Sequence, residues 1–277
     1  MSLQGPRITL LDGPMGTLLL ARGASFMAPS WSATSLLLAP DMVGQIHADY
    51  VAAGATVHTA CTFRTRRGSV PDWKAYTQTA VSIARKRVPV GQRLAGSLGP
   101  LEDCYRPDLS PEDPRPEHRE MARQLAKEGV DMILCETFPH VGEGLIAVEE
   151  AVATGLPVWI AFTAGPEGEL LTPEAMAEGA REAALRGASA VLVNCTAARL
   201  TLRYVEALAR ACGRAGVAFG AYANSGDAPE DFNRRVDDPE AIARYLAHAA
   251  TWVEAGATIV GSCCGTGPGH IAALARL

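Results

Sequence analysis

The sequence predicts an α/β protein, a (β/α)8 barrel formed as one domain over residues 1–277. Three observations predict it. Eight short apolar runs alternate with helical patterns along the whole chain, and strands that alternate with helices build a parallel sheet. The runs are continuous rather than alternating, as strands buried on both faces are. A glycine followed by Ala or Val precedes strands two, four, six, seven and eight, so one signature of helix stop and strand start recurs. A doubly wound open sheet is the alternative architecture, but it would not bring the ends of strands six and eight to one mouth.

The first strand reads over Ile8-Thr9-Leu10-Leu11 and ends at Asp12-Gly13-Pro14-Met15-Gly16-Thr17. A loop containing Pro29 and Pro40 is expected next, and Asp41 is expected to cap a helix that Gly54 stops. Strand two covers 55–61 and a helix follows over about 72–87. Strand three covers 93–98, closed by Gly99-Pro100. The Pro- and Asp-rich stretch 101–116 is the expected irregular excursion, followed by a helix over 117–128. Strand four (131–137) leads to a helix over 143–154, and strand five (157–163) to one opened by Thr172-Pro173, with Thr at the cap and Pro in the first turn. Strand six runs from Ala190 to Asn194 and reaches Cys195, before a helix over 200–212. Strand seven (217–224) passes through Ser225-Gly226-Asp227 to a helix over 239–255. Strand eight (258–262) reaches a cysteine pair, and a short helix over 268–276 closes the chain.

The size gives ample burial, so neither a disulfide nor a structural metal is needed to hold such a core. A net charge of −5 without a basic stripe argues against a nucleic-acid partner. Arg64-Thr65-Arg66-Arg67 is a local basic cluster and reads as a solvated loop. No apolar run approaches a membrane span, and residues 1–6 lack the charged and apolar regions of a secretory signal. Seven cysteines, odd in number and mostly in apolar contexts, suit a reducing cytoplasm, which is the expected location.

Chemistry concentrates in Gly261-Ser262-Cys263-Cys264-Gly265-Thr266. Neighbouring cysteines rarely bridge each other, because a trans peptide hardly allows the required separation and dihedral. Their thiolates can share one soft ion, and Cys195 ends a similar apolar run. Three thiolates at strand ends would make an open zinc site with one position left for a substrate. A nucleophilic cysteine would want a histidine base, and neither His58 nor His140 shows a paired pattern. A dithiol redox site usually has two intervening residues. Zinc fits better. Cys135 and Cys212 read as core thiols, while Cys61 and Cys104 lie near the expected mouth. Asp12, Glu136 and Asn224 also fall at strand ends. The turn at Gly13 can hold a small carboxylate on backbone N–H groups. Asp12 and Glu136 can take an ammonium; Glu136, ending an otherwise apolar strand, needs a cation or donors.

Together, Asp12-Gly13-Pro14-Met15-Gly16-Thr17, Ala95-Gly96-Ser97-Leu98-Gly99-Pro100, Glu136-Thr137, Val193-Asn194-Cys195-Thr196, Tyr222-Ala223-Asn224-Ser225-Gly226 and the cysteine-pair motif resemble the homocysteine S-methyltransferase family, in order and over essentially the whole chain. The resemblance implies a zinc-dependent barrel that methylates homocysteine to methionine. It implies metal on Cys195, Cys263 and Cys264, with the amino-acid moiety on Asp12, Gly13 and Glu136. Asn224 is expected beside the substrate, where it or a water could fill the fourth metal position. Zinc would favour the thiolate of an acceptor otherwise mostly protonated at neutral pH. The partners implied are small molecules, homocysteine and a methyl donor. S-methylmethionine and S-adenosylmethionine are favoured, because a simple sulfonium suits a barrel without folate or cobalamin modules. Two departures bear on the substrate: Ala60-Cys61-Thr62-Phe63 stands where the family usually has Thr-Asn-Thr-Phe, and Pro14 where Gly or Ala is usual. The alternative reading is a catalytically silent zinc- or thiol-binding barrel acting as carrier or sensor.

Overall fold

The computed structural model describes residues 8–26, 29–226 and 236–277. Eight parallel strands form one sheet: β1 (Thr9–Leu10), β2 (Val57–Ala60), β3 (Arg93–Leu98), β4 (Met132–Phe138), β5 (Val158–Phe162), β6 (Ala190–Ala197), β7 (Ala218–Asn224) and β8 (Ile259–Ser262). Their spatial order is β1-β8-β7-β6-β5-β4-β3-β2. A bridge between Leu11 and Val57 joins the two end strands. Thr56 N–H donates to Leu10 O at 2.8 Å and Asp12 N–H to Val57 O at 3.0 Å across that seam. The sheet therefore closes as a barrel and leaves no long edge.

Helices return the chain between strands: α1 (Met15–Ala21), α2 (Ser35–Leu38), α3 (Pro40–Ala52), α4 (Trp73–Arg85), α5 (Arg115–Lys127), α6 (Val141–Val152), α7 (Pro173–Leu185), α8 (Ala198–Cys212), α9 (Pro239–Glu254) and α10 (Pro268–Leu274). Several starts are written in side chains. Thr172 Oγ1 accepts from Ala175 N–H at 3.2 Å with Pro173 in the first turn, and Asp238 Oδ1 accepts from Glu240 N–H at 2.9 Å ahead of Pro239. The core has two layers. Leu11, Val57, Met132, Leu134, Leu192 and Ile259 fill the barrel, while a larger set packs the outer strand faces against the helices. Trp159 lies in the inner layer near the start of β5, its ring covered by the Arg93 guanidinium at 4.9 Å.

Four expectations shift. Met15–Ala21 is a helix where a turn and loop read from sequence; burial of Thr17, Leu18 and Leu19 selects it despite its seven residues. Pro40 opens α3 instead of sitting in a loop, and Asp41 lies in the first turn without a side-chain capping bond. α5, α6 and α8 begin two residues earlier than expected. β6 runs past Asn194 to Ala197, with a register shift between those two residues. Residues 1–6 and Asp227 lie outside the described residues.

Candidate active site

The carboxyl ends of the strands carry the site, and two of them are irregular. β4 shifts register between Cys135 and Phe138, and β6 between Asn194 and Ala197. At these bulges Thr137 and Cys195 adopt left-handed backbone conformations, with φ of 64° and 50°. Bulges re-aim side chains at strand ends, and here they bring β4 and β6 together. Asn194 Nδ2 donates to Thr137 Oγ1 at 2.7 Å, and Thr137 Oγ1 lies 3.9 Å from Cys195 Sγ as its donor.

Cys195, Cys263 and Cys264 meet there, their sulfurs all within 4.8 Å of one another. Cys195 Sγ and Cys263 Sγ are 2.7 Å apart. A tetrahedral ion with metal–sulfur bonds of about 2.3 Å needs sulfurs about 3.8 Å apart, so this pair must part by about 1 Å before the three sulfurs can share an ion. All-sulfur donors fit a soft ion. Hydrogen bonds from Cys195 and then Cys263 hold the Cys264 thiol well below its ordinary range, whereas its bonds to Cys263 and Cys264 push Cys195 up. The turn that carries the pair is braced: Thr266 Oγ1 bonds Cys263 O at 2.7 Å and Ser262 Oγ at 2.8 Å, and Gly265 N–H donates to Thr17 Oγ1 at 3.2 Å.

Two carboxylates share the mouth. Asp12 Oδ2 accepts from Thr59 N–H at 2.8 Å and Oδ1 from Thr59 Oγ1 at 3.0 Å. Burial nevertheless pushes its pKa up to about 8. Glu136 accepts from Ser97 Oγ through Oε1 and from Tyr222 Oη at 3.0 Å through Oε2, and burial raises it too. Two acids largely withdrawn from water, with the like charge of Glu136 adding to the rise on Asp12, are suited to a cation. Gly13 lies where a Cβ would meet the Tyr50 ring at 2.6–2.8 Å, so packing alone demands glycine beside the loop. Asn224 is buried; Nδ2 donates to Cys195 O at 3.1 Å and Oδ1 has no partner. The seven residues assigned to the site from sequence thus fall at one end of the barrel.

The other cysteines stand apart from the tripod. Cys61 faces Ser32, its sulfur 3.8 Å from Ser32 Oγ, and burial pushes its thiol up to about 11. Cys104 is buried in the β3–α5 loop and pushed up to about 12. Cys135 and Cys212 lie in the outer core. Sequence reasoning missed Thr59, Ser97, Thr137 and Tyr222. Their signal was available: each is a polar or hydroxylated residue near the carboxyl end of an otherwise apolar strand.

A profile of the family described as homocysteine S-methyltransferase matches residues 9–277. The chain belongs to the homocysteine S-methyltransferase family. The homocysteine S-methyltransferase of Escherichia coli strain K12 is 32% identical, over 96% of this chain and 94% of its own length. Homocysteine S-methyltransferase 4 of Zea mays is 28% identical, over 96% and 88%. Among solved structures, the metallated form of the Escherichia coli homocysteine methyltransferase MmuM superposes with a TM-score of 0.78 at 26% identity, covering 99% of this chain and 97% of that one. Members of this family are methyltransferases, and this chain is one on the same barrel.

Proposed function

We propose that this methyltransferase is a single homocysteine-binding domain that transfers a methyl group from a small sulfonium donor, S-methylmethionine or S-adenosylmethionine, to the thiol of L-homocysteine, with zinc on Cys195, Cys263 and Cys264. The observation that carries the reading is the meeting of a three-sulfur tripod and two desolvated carboxylates at one barrel mouth. Zinc, when bound there, would hold the acceptor sulfur as an electron-rich thiolate at neutral pH. Glu136 and Asp12 would take the ammonium of the acceptor, Gly13 its carboxylate through backbone N–H, and Asn224 Oδ1 a further proton of the bound amino acid. With the head group fixed, the acceptor sulfur points at the tripod and the donor approaches from the open side. The new sulfur–carbon bond forms as the donor's breaks, and the sulfonium leaves as a neutral thioether. Seven unbridged cysteines suit a reducing cytoplasm.

The test is conversion of homocysteine to methionine with a panel of donors: S-methylmethionine, S-adenosylmethionine, betaine and a methylated folate. Turnover with either sulfonium supports the reading. Zinc binding without turnover on any donor would replace it with a silent thiol-binding barrel.

A further inference from the structure

We infer that Tyr245 is a positioning residue for the cysteine turn, setting where Cys263 and Cys264 stand; this rests on the metal-site reading above. Tyr245 lies on α9 and is 1% exposed. Its hydroxyl donates to Gly261 O at 2.8 Å and accepts from Ala223 N–H at 3.0 Å, with Ala223 O at 3.2 Å. Ala223 O also accepts from Cys263 N–H at 2.8 Å. One phenol oxygen therefore sits at the joint where β7 and β8 leave the sheet. Asn224 is the next residue on one side, and Cys263 is two residues on from Gly261 on the other.

The far end of the turn is tied to the same ring. His270 Nδ1 accepts from Gly267 N–H at 3.2 Å, and the His270 ring meets the Tyr245 ring edge-on, centroids 5.4 Å apart at 85°. Trp252 holds the ring from another direction at 5.6 Å and 88°. The turn from Gly261 to Gly267 is thus fixed before and after the cysteines by two rings in contact. The hydroxyl joins backbone groups of both strand ends, a link that phenylalanine cannot make. Groups behind metal ligands typically alter affinity 10- to 100-fold when removed.

The experiment compares wild type, Tyr245→Phe and Tyr204→Phe. Tyr204 is an equally buried control, its hydroxyl donating to Leu171 O at 3.0 Å on a different loop. Zinc affinity is read by competition with a chromophoric chelator. Binding of phenylarsine oxide, which bridges close thiols, is read on metal-free protein, and melting temperature on all three. Expected for Tyr245→Phe is a loss of zinc affinity of about tenfold or more, with a matching loss for the arsenical. Tyr204→Phe is expected to lower the melting temperature alone. Zinc and arsenical affinities of Tyr245→Phe within twofold of the control would overturn the inference. If wild type held no zinc, the metal reading would fall by itself, and the arsenical comparison would still decide the role of Tyr245.

Discussion

Glu136 receives hydrogen bonds from Ser97 and Tyr222 before any substrate arrives, so its carboxylate is oriented but not neutralised. On the proposed function, an incoming ammonium would complete it. Glu136→Gln keeps the shape and removes the charge, so homocysteine affinity measured by calorimetry should fall by about 1.5–3 kcal/mol, the range for a hydrogen bond to a charged group. Zinc content should stay at the wild-type value; an unchanged homocysteine affinity would make Glu136 a structural residue. Asp12 gives a pH signature. Its pKa in the fold, about 8, lies above the ordinary 3.8, so the fold binds the proton more tightly than the unfolded chain does. That contribution to stability is complete below pH about 4 and is lost as pH rises through about 8. Urea unfolding of metal-free protein should show wild type weakening from pH 6 to 9, and Asp12→Asn should lose that slope. A slope equal in both proteins would remove Asp12 as its source.

Among the elements, the turn after β8 concentrates the chemistry and should separate metal binding from folding. Cys263→Ser is expected to take away most of the bound zinc, measured by atomic emission, while far-ultraviolet circular dichroism stays near wild type, because a domain of this size does not lean on metal for its core. A fully loaded variant would break the three-sulfur assignment. These elements also show what a sequence can and cannot disclose. The strands were legible because burial on both faces leaves unbroken apolar runs, and the three cysteines because each ends such a run. Helix α1 was not: seven residues are too few for a periodic pattern, and the packing of Leu18 and Leu19 decides its form. Nor was the extension of β6 beyond Asn194, since a bulge is a relation between two strands and leaves no mark in one. Ser97 and Tyr222 were legible only as polar residues near strand ends; their convergence on Glu136 comes from closure of the barrel.

The whole molecule also bears an electrostatic cost away from the mouth. His47 on α3 is fully buried, neither ring nitrogen has a partner, and burial with the nearby His58 lowers its pKa to about 3. A base whose pKa is depressed in the fold takes up protons more readily when unfolded. Its stability contribution is present above pH about 6.5 and is lost as pH falls toward about 3. His47→Leu should therefore flatten the acid limb of the stability profile by up to about 1.4 kcal/mol per pH unit between pH 6 and 4. Chemical unfolding at several pH values checks this, and an acid limb as steep as wild type would count against it. Asp12 tilts the profile the other way, so the double variant Asp12→Asn/His47→Leu should be the flattest of the set.

Thr137 and Cys195, the two left-handed residues at the bulges, put this protein under two opposed selections. A side chain in that backbone region costs about 1–2 kcal/mol that glycine would not. A library of variants sorted only for heat resistance would drift toward glycine at position 137, and the survivors would pass any test of folding. The same library sorted for methyl transfer would keep threonine, whose hydroxyl links Asn194 to the Cys195 sulfur. The two winners would part at this pair of residues while agreeing over the rest of the barrel, so the divergence between them would map the catalytic end without any knowledge of substrate.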